Sequence, residues 1–101
     1  MRFMMRITMP HEQGNEAIRG GKMGETLNAF MQKWRPEAAY FYPANGKRGA
    51  TFFLNIDDPT QLPVLSEPFF MGLNADVEVV PAMNFEDLKK GLAVLEKEMK
   101  R

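Results

Sequence analysis

The run PEAAYFYPANGKRGATFFLNID, residues 36–57, decides how the rest of the chain must fold. Two short apolar-aromatic segments flank Asn45-Gly46, and both of those residues tolerate the positive φ of a two-residue type I′ turn. The run is therefore expected to be a β-hairpin. In its second arm Ala50, Phe52, Leu54 and Ile56 share one face, while Thr51, Phe53, Asn55 and Asp57 share the other, because successive strand side chains alternate. In the first arm Tyr40 and Tyr42 share a face, apart from Phe41.

The hairpin must be entered from a helix. Met23, Leu27, Phe30, Met31 and Trp34 recur at the 3.6-residue period of one helix face. Gly20, Gly21 and Gly24 oppose the first half of that pattern, each costing about 1 kcal/mol against alanine in a helix interior. The spacing predicts a short turn near Asn15–Arg19, a break at Gly20-Gly21 and a helix to about Arg35, stopped by Pro36. Further upstream the chain alternates, with Phe3, Met5, Ile7 and Met9 on one face and Arg2, Met4, Arg6 and Thr8 on the other. That is a strand, and Pro10 ends it.

Downstream, Asp58-Pro59-Thr60-Gln61 combines a capping aspartate, a proline suited to a first helical position and a glutamine at the capping-box position. Leu62, Leu65, Phe69 and Leu73 would line the inner face of this helix, and Pro63 and Pro68 should bend or interrupt it. Gly72 and Asn74 close it. Ala75–Met83 reads as the last strand, with Pro81 at an edge or at its end. Asn84 then caps a helix whose Phe85, Leu88, Leu92, Leu95 and Met99 form a narrow, seam-like stripe.

The order is strand, helix, strand, strand, helix, strand, helix. The expected fold is α+β, a ferredoxin-like βαββαβ plait with a four-stranded antiparallel sheet and one additional C-terminal helix. Two helices cover one sheet face. The other carries Met4, Arg6, Phe53, Glu78 and Val80, joined by Tyr40 and Tyr42, a mixture too apolar for water that also holds a pairable Arg6 and Glu78. A second copy of the chain explains such a face best, so the expected partner is the protein itself, as a homodimer. The last helix would lie against its own sheet edge or reach across to that partner.

Composition bounds the function. The 101 residues make one domain, spanning 1–101, that buries roughly 60–65% of its unfolded surface. Thirteen basic and thirteen acidic residues balance, which gives no electrostatic reason to expect nucleic acid or an anionic membrane as partner. There is no cysteine, which removes thiolate chemistry and disulfides, and no long apolar run, so a cytoplasmic location is the expectation. With one histidine, no metal-ligand spacing exists, and no cofactor is expected. Residues 48–55 partly imitate an RNA-recognition signature, but Ala50 and Asn55 stand where two aromatics belong, and the parity turns Phe52 and Leu54 towards the core.

Several pieces together resemble a known family: Gly14-Asn15 with Ile18-Arg19, residues 36–41, Asp58-Pro59 with Gln61-Leu62-Pro63, residues 67–70, and Asn74-Ala75 with Val77-Glu78. In that order they resemble the dimeric α/β-barrel superfamily, and within it a group of bacterial proteins of similar length to which no activity is assigned. The resemblance implies two ferredoxin-like protomers packed sheet to sheet, with a pocket between sheet and helices. It also implies that any activity would be of the cofactor-independent monooxygenase or isomerase kind. The family's haem-degrading branch holds iron through a helical histidine. His11 follows Pro10 in what reads as a loop, so haem is not expected.

The candidate site residues are few. His11 beside Glu12 forms a possible acid/base pair, against the ordinary reading of a solvated loop histidine. Asn15 and Arg19, one helical turn apart, could hold an anionic or carbonyl-bearing ligand beside exposed N–H groups at Gly20-Gly21. Tyr40 is either an interface aromatic or a pocket hydroxyl, and Glu67 either a cavity carboxylate or a solvated one. The function expected from all this is binding of a small apolar or aromatic metabolite between sheet and helices. The alternative is a non-catalytic dimer whose interior is filled by its nine methionines and eight phenylalanines.

Overall fold

The computed structural model describes residues 1–100. Its elements are β1 (Arg2–Thr8), α1 (His11–Arg19), α2 (Lys22–Trp34), β2 (Ala38–Ala44), β3 (Lys47–Asn55), α3 (Gln61–Leu73), β4 (Asp76–Pro81) and α4 (Phe85–Met99). Asn45 and Gly46 both take positive φ, 53° and 79°, and close the β2–β3 hairpin as the turn chemistry requires. The sheet is antiparallel throughout in the order β2-β3-β1-β4, which with the helices between strands makes a ferredoxin-like plait.

Strands β1 and β3 lie in the middle, so their inner rows are the most deeply covered. Met5, Ile7, Ala50, Phe52 and Leu54 are buried there, under α2 and α3. Phe52 is the meeting point. Its ring centroid lies 4.6 Å from that of Phe30 on α2 and 6.4 Å from that of Phe69 on α3, and Phe30 meets Phe69 edge-on at 5.2 Å. On the opposite face Arg6 Nη2 donates to Glu78 Oε1 at 2.9 Å, between residues in register across β1 and β4.

The structure corrects three details of the expected elements and keeps the break between the first two helices. Helix α1 opens at His11, so His11 stands in the first helical turn rather than in a loop. Gly21, at φ 77°, separates α1 from α2 at the predicted break. Helix α3 runs unbroken through both prolines. Pro63 falls in its first turn, where the missing N–H would have had no intrahelical acceptor, and Pro68 alone removes a helical donor. Leu62 is exposed beside Phe3 and Ile56 at a crevice, and Ser66 takes its place among the covered residues of α3.

The start of α3 is held reciprocally. Asp58 Oδ1 accepts from the Thr60 N–H and hydroxyl at 2.9 and 2.7 Å, while Gln61 Oε1 accepts from the Asp57 and Asp58 N–H groups at 2.8 and 3.1 Å. Asn84 and Asp87 make a full capping box at α4. Yet α4 contributes nothing to the core. All of its described side chains are exposed, and the molecule measures 60 × 28 × 19 Å with a radius of gyration of 16.8 Å. A compact chain of this length has about 13 Å. The last helix is an arm.

Two outcomes test this framework. Phe52→Ala should cost about 3–5 kcal/mol in urea unfolding, since it empties the junction of sheet and both helices. The Thr60 N–H, and then its hydroxyl, hold the Asp58 carboxyl below its ordinary pKa. That stabilisation is complete above the unfolded carboxyl's pKa and is lost as pH falls through the lower folded value. Asp58→Ala should therefore melt below the wild type at neutral pH, and the gap should close in acid, as read by calorimetry at both pH values.

Candidate functional site

An edge strand is covered only as far as the helices reach. Phe41 belongs to the inner row of β2, in register with Ala50, and its ring packs edge-on against Phe52 at 5.8 Å. It nevertheless remains 56% exposed, and Ile18 on α1 is 51% exposed. Between them the helices stand off the hairpin and leave an open cleft of about 560 Å³. Ile7 and Ala50 line it from the sheet, Met23 and Leu27 from α2, and Phe41 and Pro43 from the hairpin. The volume lies within the roughly 300–1,000 Å³ typical of small-molecule sites.

Three basic residues border this apolar space, His11, Lys47 and Arg48, and Tyr42 also lines it. Arg48 is the unusual one. It continues the inner row of Ala50, Phe52, Leu54 and Ile56, so the strand parity turns a guanidinium towards the helices. Its Nη1 is fully covered and has no hydrogen-bond partner among the described residues. The cover is α1, at Gly14. A Cβ built at Gly14 would lie 2.8 Å from that nitrogen and 3.4 Å from Arg48 Cδ, so any larger residue there requires the guanidinium to shift. An unpaired buried donor costs stability, more so when charged.

The other candidates are dispersed. His11 reaches the cleft from the first turn of α1, while Glu12 does not line it. Asn15 and Arg19 share α1, but neither lines the cleft. The N–H groups of Gly20 and Gly21 bond the α1 carbonyls of Glu16 and Ile18, so they are not open to a ligand as expected. Tyr40 pairs with Thr51 on the outer face of the sheet, away from the cleft, and is 65% exposed. Tyr42 turns its hydroxyl to the same face, hydrogen-bonded to Thr51, although the residue also borders the cleft. Glu67 is half-buried on α3, remote from the cleft lining. Among the described residues, no group of three or more acidic, histidine or cysteine side chains gathers as a metal site would.

Arg48 escaped the sequence reading although a signal was present: a charged residue in phase with a core row. No protein-family model matches the chain, and a search of curated proteins also gives no match.

The arrangement makes an unusual stability prediction. Arg48→Met keeps an unbranched stem against Gly14 and Met9 while removing the unpaired charge. Its melting temperature should equal or exceed that of the wild type, whereas Gly14→Leu, which drives a side chain into the guanidinium, should lower it.

Proposed function

We propose that the protein binds a small molecule with an apolar or aromatic body and an anionic end, the body in the cleft and the anion on Arg48. The observation that carries this reading is the half-buried Arg48 in the wall of an open apolar cleft, with its Nη1 covered and without a partner among the described residues. A planar guanidinium matches carboxylate and phosphate geometry, and such charge-assisted bonds are the strong ones. Lys47 and His11 add donors at the same lining. The methionines Met9 and Met23 border the space without filling it, and their pliable side chains can adjust to an occupant.

The proposed functional unit is a homodimer of the dimeric α/β-barrel kind, formed through the outer sheet face. Support comes from exposed Tyr40 beside half-buried Met4, Phe53 and Val80, and from Arg6 with Glu78, a pair of charges that a two-fold axis makes self-complementary.

Native mass spectrometry of freshly purified protein checks the first claim. It should show a ligand of a few hundred daltons, on the order of the drug-sized molecules such a volume holds. Thermal-shift titration with benzoate and phenyl phosphate should stabilise the wild type, and Arg48→Met should weaken binding at least tenfold, as expected for about 1.5–3 kcal/mol from a charged hydrogen bond. A clean mass with no shift from any aromatic anion would return the protein to the filled, non-binding module. For the dimer, Tyr40→Asp should convert a dimeric mass in light scattering to a monomeric one.

A further inference from the structure

The lining of the cleft carries charge of one sign. His11, Lys47 and Arg48 border it, and among the described residues no aspartate or glutamate does. The whole chain balances thirteen basic against thirteen acidic residues, so a wall without a carboxylate is a local departure from that balance. Among the described residues no salt bridge engages His11, Lys47 or Arg48. Tyr42 adds no free hydroxyl to the lining, since that group is bonded to Thr51.

The backbone brings the three basic residues together from two elements. Asn45 and Gly46 reverse the chain at positive φ, and Lys47 and Arg48 open β3 directly after them. The Met9 N–H donates to the Arg48 carbonyl at 3.0 Å, which ties the end of β1 to the start of β3. Pro10 follows as the N-cap of α1, and His11 is the first residue of that helix. A single proline therefore separates His11 from the tie to Arg48. The cluster is set by backbone contacts close to each of its members.

We propose that the anionic end of the ligand is a dianion, a phosphate monoester on an apolar or aromatic body. The proposal rests on the aromatic-anion cleft proposed above and narrows its ligand class. A carboxylate brings one charge and two oxygens, and a bidentate bond to one guanidinium uses both. Lys47 would then stand without a counter-charge near Arg48. A phosphate monoester carries close to two negative charges at neutral pH and offers three strong acceptor oxygens. Arg48 takes one edge of it and leaves an oxygen to Lys47 and His11. An imidazole has an N–H in either protonation state, so His11 donates to that oxygen whether charged or not. Exposure fits this division of labour: Arg48 is half-buried with its Nη1 covered, while His11 and Lys47 are exposed residues of the same lining.

Phenyl phosphate and phenyl sulfate isolate the charge, because they share body, shape and oxygen count and differ by one negative charge above the second phosphate ionisation, near about pH 6. In calorimetric titration at slightly alkaline pH, the wild type should bind phenyl phosphate roughly tenfold or more tightly than phenyl sulfate. A variant carrying both His11→Gln and Lys47→Gln, at two exposed positions, should keep the wild-type circular dichroism and lose most of that preference. It should still bind phenyl sulfate through Arg48. Equal wild-type affinity for the two esters, or a preference undiminished in the double variant, would overturn the proposal. If the wild type binds both esters equally and Arg48→Met loses both, the aromatic-anion cleft stands and the dianion falls. If the wild type binds neither ester nor benzoate, the cleft falls as well.

Discussion

The contact on which the rest of this structure depends is the three-ring junction of Phe30, Phe52 and Phe69. It joins one strand from the centre of the sheet to one helix from each half of the plait. Nothing local obliges those three residues to meet, for they lie far apart in sequence. Each occupies the buried side of an amphipathic element, and burying all three apolar faces at once requires the two helices to share the same side of the sheet. The hydrophobic gain is non-directional, but the ring geometry makes the solution specific.

Once the helices are anchored over β1 and β3, their reach is limited. The edge strand β2 is left with Phe41 only partly covered, and the break at Gly20-Gly21 lets α1 and α2 stand away from the hairpin. The cleft is thus a consequence of where the core is tightest. Arg48 enters it by parity alone, since the row that supplies Phe52 to the core also carries Arg48 two positions beyond Ala50. Position 14 lacks a side chain where the guanidinium passes. The Arg48 Nη1 left covered and unpartnered there costs stability, and the proposed ligand is what would offset that cost.

The cleft and the last helix lie at opposite ends of the molecule. The cleft lies at the hairpin-turn end of the sheet, among Met9, Gly46 and Lys47, whereas the arm is rooted at the other end, where Arg2 meets Asp87. The cleft contact is small and charged at one point, suited to a metabolite.

The sequence by itself determined the hairpin, the strand faces, the break between α1 and α2, the Arg6–Glu78 pairing and the stripe on α4. Each of these is a local matter of period, turn chemistry or strand alternation, and each acts over a few residues. Helix boundaries were less legible: the chain began α1 at His11, and packing against the core carried α3 through Pro68 despite the lost donor. The site was the least legible. Asn15, Arg19, Tyr40 and Glu67 are polar residues in suggestive company along the chain, but the fold sends them to different faces and leaves only His11 at the cleft. Only the tertiary structure could decide this, because a pocket is the space between elements. Which side chains border it depends on how far each helix stands from each strand, a distance set by the three-ring junction and by no short run of residues.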